Sequence, residues 1–149
     1  MRHINTHGLS LLKNHEGCKL DAYTDGGGVL TIGYGCTTNV QKGLRISQEE
    51  AIRRLNADLE ATEQCVERWV TVPLSENEFS ALVSWTFNLG CAALRNSTLL
   101  RKLNAEDRTG ARDEFYRWDH DNGKKVAGLT SRRAAEAQLF GTPDGQATT

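Results

Sequence analysis

Two acidic residues and a threonine near the start of the 149-residue chain are residue types that could take part in hydrolysis of a sugar bond. Asp25 follows Glu16 after eight intervening residues, and Thr31 follows Asp25 after five. Cleaving a glycosidic bond needs a proton for the leaving oxygen and help for a water or nucleophile on the opposite face of the sugar. As residue types alone these have ordinary explanations, because a glutamate at a helix end is commonly a solvated charge and an aspartate before glycines is commonly a turn residue.

The two carboxyl groups are expected to lie in unlike surroundings, which would let one hold a proton while the other stays ionised. Glu16 directly follows an apolar helical stripe, where partial burial would favour its protonated form. Asp25 precedes three glycines, at a wetter turn that favours the carboxylate. Thr31 enters the strand that returns from this turn, where its hydroxyl could help to orient a water.

A short helix and a small β region must position these side chains. Residues 5–15 have helical periodicity, with Thr6 as the predicted N-cap, and the helix is expected to end at Glu16 and Gly17. Residues 18–38 combine aromatic and β-branched residues with a glycine turn, which predicts a hairpin or a three-stranded sheet.

The remainder of the chain has the pattern of helices. Ser47 and Glu50 have the spacing of a capping box, and apolar residues then recur every three or four positions to Val70. This predicts a helix of about 23 residues and about 35 Å, long enough to link two lobes. Ser75 and Glu78 have the spacing of a second capping box, and a helix is expected from Ser75 to about Gly90. Further helices are expected over residues 97–103, 109–118 and 129–140, with a polar loop at residues 119–128.

The predicted fold class is therefore α+β and mostly helical, in one domain with two lobes. The β-containing lobe covers about residues 16–46, and the connecting helix covers about residues 47–70. The helical lobe covers about residues 71–140 together with the N-terminal helix, and residues 141–149 form a flexible tail. A cleft between two such lobes is a favoured place for a ligand.

Composition argues against several classes of partner. The 18 Lys and Arg residues against 19 Asp and Glu residues give no basic excess for nucleic acid. No apolar segment resembles a signal peptide or reaches the roughly 18 residues of a membrane span. We therefore expect synthesis in the cytoplasm without a membrane anchor. Neither metal-ligand spacing nor a nucleotide-binding glycine motif is found, so no cofactor or metal is expected.

Four cysteines leave the redox state open. Cys18, Cys36, Cys65 and Cys91 contain no C-x-x-C pair, and four partly buried thiols are the ordinary expectation in a reducing compartment. Cys18 and Cys36 also flank the predicted hairpin symmetrically, so a disulfide between them outside the cytoplasm is the alternative.

The spacing Glu16-x8-Asp25-x5-Thr31 resembles the pattern of the phage-type lysozymes, glycoside hydrolase family 24. Several further segments resemble the same family in the same order along the chain. These segments are Glu16-Gly17, Ala22-Tyr23, Thr31 to Gly35, Ala81 to Gly90, Asn96 to Asn104, and Gly128 to Glu136 with Leu139-Phe140. The resemblance covers about residues 8–141.

This resemblance implies a lysozyme-like fold and hydrolysis of the β-1,4 bond between N-acetylmuramic acid and N-acetylglucosamine in peptidoglycan. Glu16 would be the general acid, and Asp25 and Thr31 would position or activate the attacking water, with inversion at the anomeric carbon. It also implies a substrate-binding set, namely Gly35, Thr37, Phe87, Ser97, Arg132 and Arg133. One of the two arginines would contact Glu16. A phage endolysin of this kind would act as a monomer and reach the cell wall through a holin pore.

The sequence departs from the family at Cys36, where a histidine is common after Gly-Tyr-Gly. Activity is expected to survive, because Glu16, Asp25 and Thr31 are intact. Simpler roles remain open for Phe87 as a core residue and for Ser97 as a helix cap. The rival functions are a glycan-binding module without activity, a lytic transglycosylase, and a helical nucleic-acid or protein-binding domain.

Overall fold

A computed structural model describes residues 2–146 of the chain. Within these residues the chain forms seven helices and two small antiparallel sheets. Their order is α1 (Thr6–Glu16), β1 (Lys19–Thr24), β2 (Leu30–Gly33), α2 (Gln48–Trp69), α3 (Glu76–Leu89), α4 (Cys91–Arg95), α5 (Thr98–Asn104), α6 (Arg108–Phe115), β3 (His120–Asp121), β4 (Lys124–Lys125) and α7 (Ala127–Phe140). The mostly helical α+β class predicted from the sequence is confirmed.

The predicted hairpin is present, and a third segment adds to it. Strands β1 and β2 are antiparallel, with Tyr23 opposite Thr31. The segment before α2 runs along β1, where Ala22 N donates to Leu44 O and Ile46 N donates to Leu20 O. These bonds tie the loop that precedes α2 to the strand that leads into the glycine turn.

Helix α2 begins as predicted, but half of the expected capping box is missing. The Ser47 hydroxyl accepts a hydrogen bond from Glu50 N at 3.1 Å. The Glu50 carboxylate bonds instead to Arg53 and Arg54, at 2.7 and 3.0 Å for their Nε atoms. Two i,i+3 and i,i+4 guanidinium groups therefore replace the backbone partner that a capping box would offer.

Helix α3 lies at the centre of the helical part of the fold. It packs against α1, α2 and α7, and Phe79, Leu82 and Trp85 on it are almost completely buried. Its predicted capping box is complete, because Ser75 and Glu78 satisfy each other's backbone N–H groups. A helix that is apolar over most of its circumference is buried on several sides, as this one is.

Several element boundaries differ from the sequence prediction. Asn5 rather than Thr6 is the N-cap of α1, with its side chain accepting from Gly8 N. The five-residue helix α4 was not predicted, and it starts directly after Gly90. The polar loop predicted at residues 119–128 contains the short hairpin of β3 and β4, and α7 begins at Ala127. Such short elements carry too few residues for a periodic pattern to develop.

Both ends of the described chain are attached to the start of α3. Asn5 Nδ2 donates to Asn77 Oδ1 at 2.8 Å, and the Asp144 carboxylate accepts from the backbone N–H groups of Glu76 and Asn77 at 2.9 Å. These two bonds lower the pKa of Asp144. Within the tail predicted from residue 141, Asp144 is therefore bonded to the start of α3, and residues 147–149 lie outside the described part.

The cysteine pairing differs from both expectations based on the sequence. Cys65 on α2 and Cys91 on α4 form a disulfide, with their Cα atoms 6.0 Å apart. Cys18 is a free exposed thiol and Cys36 is a free buried one, so the cross-hairpin disulfide is wrong. The pairing depends on how α4 turns back onto α2, which cysteine spacing cannot give. Between residues 2 and 146, no helix is both long and apolar enough to cross a membrane.

Loss of the Cys65–Cys91 disulfide should lower the free energy of unfolding by about 3.5 kcal/mol, because the bond closes a loop of 26 residues in the unfolded chain. Urea unfolding of the oxidised protein and of Cys91→Ser measures this difference. Cys18→Ser is the matched control, since Cys18 is exposed and unpaired. A Cys91→Ser variant as stable as Cys18→Ser would contradict the prediction.

Candidate active site

Glu16 is the last residue of α1, and its carboxyl group is held by a partner from the far end of the chain. Gly17 follows with φ of 68°, a conformation that favours glycine and turns the chain away from the helix. Arg132 Nη1 donates to Glu16 Oε2 at 2.6 Å. The Glu16 side chain is 16% exposed and that of Arg132 is 4% exposed. The carboxyl group thus lies at the edge of the protein interior with a fixed orientation.

Gly35 lies directly against this carboxyl group. A Cβ atom at Gly35 would lie 2.9 Å from Glu16 Oε1, and its φ of +79° is one that L side chains rarely adopt. The sequence pointed to Gly35 as a substrate-binding residue. The structure places it as the wall beside the Glu16 carboxyl, where the absence of a side chain leaves room for the oxygen.

Asp25 lies at the tip of the hairpin and orders the glycine turn. Its Oδ1 accepts from Gly27 N and Val29 N, both at 2.9 Å. Its backbone carbonyl accepts from Gly28 N at 3.0 Å. The residue is exposed, as predicted, and both of these side-chain hydrogen bonds use Oδ1. The other carboxylate oxygen is not used by the turn.

Thr31 lies on β2, opposite Tyr23 on β1. Its side chain is almost buried, and the hydroxyl donates to Val29 O at 3.0 Å. With the hydroxyl hydrogen occupied in this way, the oxygen lone pairs remain available to accept a hydrogen bond. A water held by Thr31 would therefore donate to it.

Tyr23 is a site residue that the sequence analysis did not single out. Burial raises the pKa of its phenol, and the nearby carboxylates of Glu16 and Asp25 raise it further. The phenol therefore lies within the electrostatic field of both carboxylates. Its position opposite Thr31 in the hairpin was the available signal, but the register had to be known first.

The structure decides between the two arginines that the sequence left open. Arg132 contacts Glu16, whereas the fully buried Arg133 pairs through Nε with Glu136 Oε1 at 2.8 Å and donates from Nη2 to Asn88 at 2.8 Å. Glu136, which was not predicted, is 0% exposed and lies between the two guanidinium groups. Arg133 is therefore a buried structural cation, and Arg132 is the one that reaches the carboxyl group.

His15 precedes Glu16 and is affected by the same cations. Burial lowers the pKa of His15, and the charges of Arg132 and Arg133 lower it further, against the opposing effect of Glu16. An imidazole with a lowered pKa is neutral at neutral pH. The positive charge near Glu16 therefore comes from the arginines and not from His15.

The remaining candidates differ in how accessible they are. Thr37 is exposed on the loop after Gly35, and Phe87 is partly buried and packs against the core. Ser97 is buried and is the N-cap of α5, where its hydroxyl accepts from Leu100 N and donates to Leu94 O. The helix-cap role that the sequence left open for Ser97 is the one observed.

Cys36, at the position where the family commonly has histidine, is a buried free thiol. Its Sγ is 3.7 Å from both Thr38 O and Arg54 Nη1. Among residues 2–146, no group of three or more His, Cys, Asp or Glu side chains could hold a metal ion. The two acidic side chains at this site differ in exposure, since Glu16 is largely buried and Asp25 is exposed.

The chain is similar to known lytic enzymes over most of its length. The sequence profile of the family described as Phage lysozyme matches residues 13–136. The endolysin of Acyrthosiphon pisum secondary endosymbiont phage 1 is 42% identical over 142 residues, which cover 93% of this chain and 97% of that protein.

Solved structures show the same relationship. The muramidase domain of SpmX from Asticaccaulis excentricus superposes with a TM-score of 0.88 at 37% identity, covering 95% of this chain and all of that chain (100%). The endolysin from Escherichia coli O157:H7 phage FAHEc1 has a TM-score of 0.83 at 37% identity, covering 93% of each chain.

Together these findings define the protein as a glycoside hydrolase with a lysozyme fold. More narrowly, the chain belongs to the phage lysozyme family. The family and fold that the sequence motifs predicted are confirmed.

Gly35→Ala should reduce the rate of cell-wall hydrolysis at least tenfold, because the added Cβ would displace the Glu16 carboxyl group. The control is Gly43→Ala. Gly43 has a similar positive φ of +86°, but no atom lies within 4 Å of the position that the new Cβ would take. This variant should lose some stability and keep its activity. Turbidity loss of permeabilised cells gives both rates, and equal rates for the two variants would contradict the prediction.

Proposed function

We propose that the protein is a muramidase in which Glu16 is the general acid and Asp25 and Thr31 position the attacking water. The observation that carries this proposal is the contrast between the two carboxyl groups. Glu16 is largely buried and fixed by Arg132, while Asp25 is exposed at the hairpin tip. Hydrolysis by paired carboxyl groups depends on such a difference in environment.

The geometry around Glu16 suits proton delivery. Arg132 occupies Oε2, and Gly35 lies beside Oε1 without a side chain to cover it. Oε1 is therefore the oxygen that can face a glycosidic oxygen. A proton donor of this kind must lie within hydrogen-bond distance of the leaving group, and a fixed carboxyl orientation lowers the cost of reaching that arrangement.

Asp25 and Thr31 support the water on the hairpin side. Asp25 keeps one oxygen free of the turn, and Thr31 presents lone pairs on the adjacent strand. A water that donates one hydrogen to each would have its oxygen lone pair directed away from the hairpin. Attack by such a water gives inversion at the anomeric carbon, and the proton-transfer partner for that step is Asp25.

The proposed substrate is the peptidoglycan glycan strand, cut at the β-1,4 bond between N-acetylmuramic acid and N-acetylglucosamine. The muramidase and endolysin names of the similar proteins support this choice. The strand would lie in a cleft between a β-containing lobe and a helical lobe, with Gly35 and Thr37 on one edge and Phe87 on the helical wall. A monomer suffices for this arrangement, because every proposed group lies on one chain.

Glu16→Gln should lower hydrolysis of purified peptidoglycan at least a hundredfold, because the amide cannot donate a proton to the leaving oxygen. The matched control is Glu49→Gln, the same chemical change at an exposed glutamate in the first turn of α2. Mass spectrometry of the products should show reducing-end muramic acid for the wild type and for Glu49→Gln.

Other products would overturn specific parts of the proposal. Anhydro-muramic ends would identify a lytic transglycosylase, and the absence of product from folded wild-type protein would leave a glycan-binding module. A first-formed product that keeps the β configuration, observed by proton NMR, would show retention and assign Asp25 the role of nucleophile.

We further propose that the protein is an endolysin that is made in the host cytoplasm and needs a holin to reach the wall. Expression in bacteria should leave culture turbidity unchanged until a holin is co-expressed or chloroform opens the inner membrane. Lysis should then follow for the wild type and fail for Glu16→Gln. Lysis by the wild type without either treatment would contradict dependence on a holin.

A further inference from the structure

A cluster of buried charged side chains lies directly behind Glu16. Among the described residues, Glu136 supplies the carboxylate of this cluster. Glu136 is 0% exposed on α7. Its carboxylate is contacted by Arg132 Nε at 3.1 Å and Arg133 Nε at 2.8 Å, and it accepts from the Ser84 hydroxyl at 2.5 Å. Burial raises the pKa of Glu136, while the two guanidinium groups and Ser84 act in the opposite direction. With two cations in direct contact, the group is a carboxylate at neutral pH.

Glu136 fixes the orientation of the guanidinium group that holds Glu16. Arg132 donates from Nε to Glu136, from Nη1 to Glu16 at 2.6 Å, and from Nη2 to Ser84 O at 3.0 Å. Three separate directions of the planar group are therefore occupied by fixed partners. Without Glu136 the Nε direction is lost, and the guanidinium group can rotate about its long side chain.

Glu136 also sets the charge that Glu16 experiences. Arg132 and Arg133 carry two positive charges, and Glu136 removes one of them. The Asp25 carboxylate at the hairpin tip adds a negative charge on the other side of Glu16, where both carboxylates act on Tyr23. Of the other described groups around the two arginines and Glu136, several are polar and uncharged, or neutral at neutral pH. These are Ser84 and Asn88 on α3, the Trp118 carbonyl, His15 on α1 and Tyr23 on β1. Glu114 on α6 is paired with Arg117 at 2.8 Å and with Lys102 at 3.6 Å.

We infer that Glu136 is a positioning residue that orients Arg132 against Glu16 and sets the pH range in which Glu16 keeps its proton. Its charge matters because an unbalanced second guanidinium would favour the Glu16 carboxylate and so remove the proton that the leaving oxygen needs. This inference rests on the proposed role of Glu16 as general acid, and it assigns a function to a residue that never contacts the substrate.

Two single substitutions should move the titration of Glu16 in opposite directions. Glu136→Gln keeps the shape of the side chain but raises the cluster charge from +1 to +2. Arg133→Gln lowers it from +1 to 0. The midpoint of the Glu16 carboxyl titration should fall by at least half a pH unit in the first variant and rise by a similar amount in the second. The double variant restores the charge of +1 and should return the midpoint close to that of the wild type.

The experiment is a ¹³C-carboxyl NMR titration of the folded proteins without substrate, with Glu16 assigned by loss of its signal in Glu16→Gln. Circular dichroism checks folding, and if Glu136→Gln does not fold, Arg133→Gln and the double variant still test the sign of the effect. Midpoints within 0.2 pH units of the wild type in the folded variants would reduce Glu136 to a purely structural residue and overturn the inference.

The pH profile of peptidoglycan hydrolysis distinguishes this inference from the proposed function. The alkaline limb should move by the same amount and in the same direction as the NMR midpoint, with kcat reduced more than KM is changed in Glu136→Gln. NMR midpoints that move as expected while the alkaline limb stays fixed would uphold Glu136 as positioning Arg132 and refute Glu16 as the general acid.

Discussion

The contact between Arg132 and Glu16, which joins residues 116 positions apart in the sequence, is the constraint on which the site depends. It attaches the last residue of α1 to α7, and Glu136 and Ser84 extend the attachment to the centre of α3. The hairpin that carries Asp25 and Thr31 starts with β1 at Lys19, shortly after Glu16. The helical core thereby fixes one carboxyl group, while the hairpin presents the other to solvent.

A buried cluster of this kind is better explained by orientation than by stability. Removing Arg132, Arg133 and Glu136 from water has a large desolvation cost, and the ion pairs and hydrogen bonds offset much of it without a clear surplus. The stabilising apolar core lies alongside, in residues such as Phe79, Leu82 and Trp85. The disulfide and the hydrogen bonds that join Asn5 and Asp144 to α3 add local constraint to the same helical scaffold.

Local sequence patterns were sufficient to predict the elements whose patterns are long or chemically specific. The hairpin after Glu16, the long helix after Ser47 and the capping box at Ser75 were all predicted correctly, because each depends on residues close together in the chain. The sequence analysis did not predict helix α4, the β3–β4 hairpin or the backbone hydrogen bonds to Asp144. These features depend on few residues or on distant partners. The cysteine pairing was missed for the same reason, as it requires α4 to return to α2.

The sequence by itself determined the family, the α+β class and the three residues proposed for catalysis, because spacing within one short segment is preserved when that segment folds. It also determined that one of two adjacent arginines was a candidate partner for Glu16. The tertiary structure alone decided that Arg132 is that partner, that Gly35 lies against the carboxyl group and that Glu136 pairs with both arginines. These relations join separate helices and loops, and their distances follow from the packing of α1, α3 and α7 rather than from any pattern along the chain.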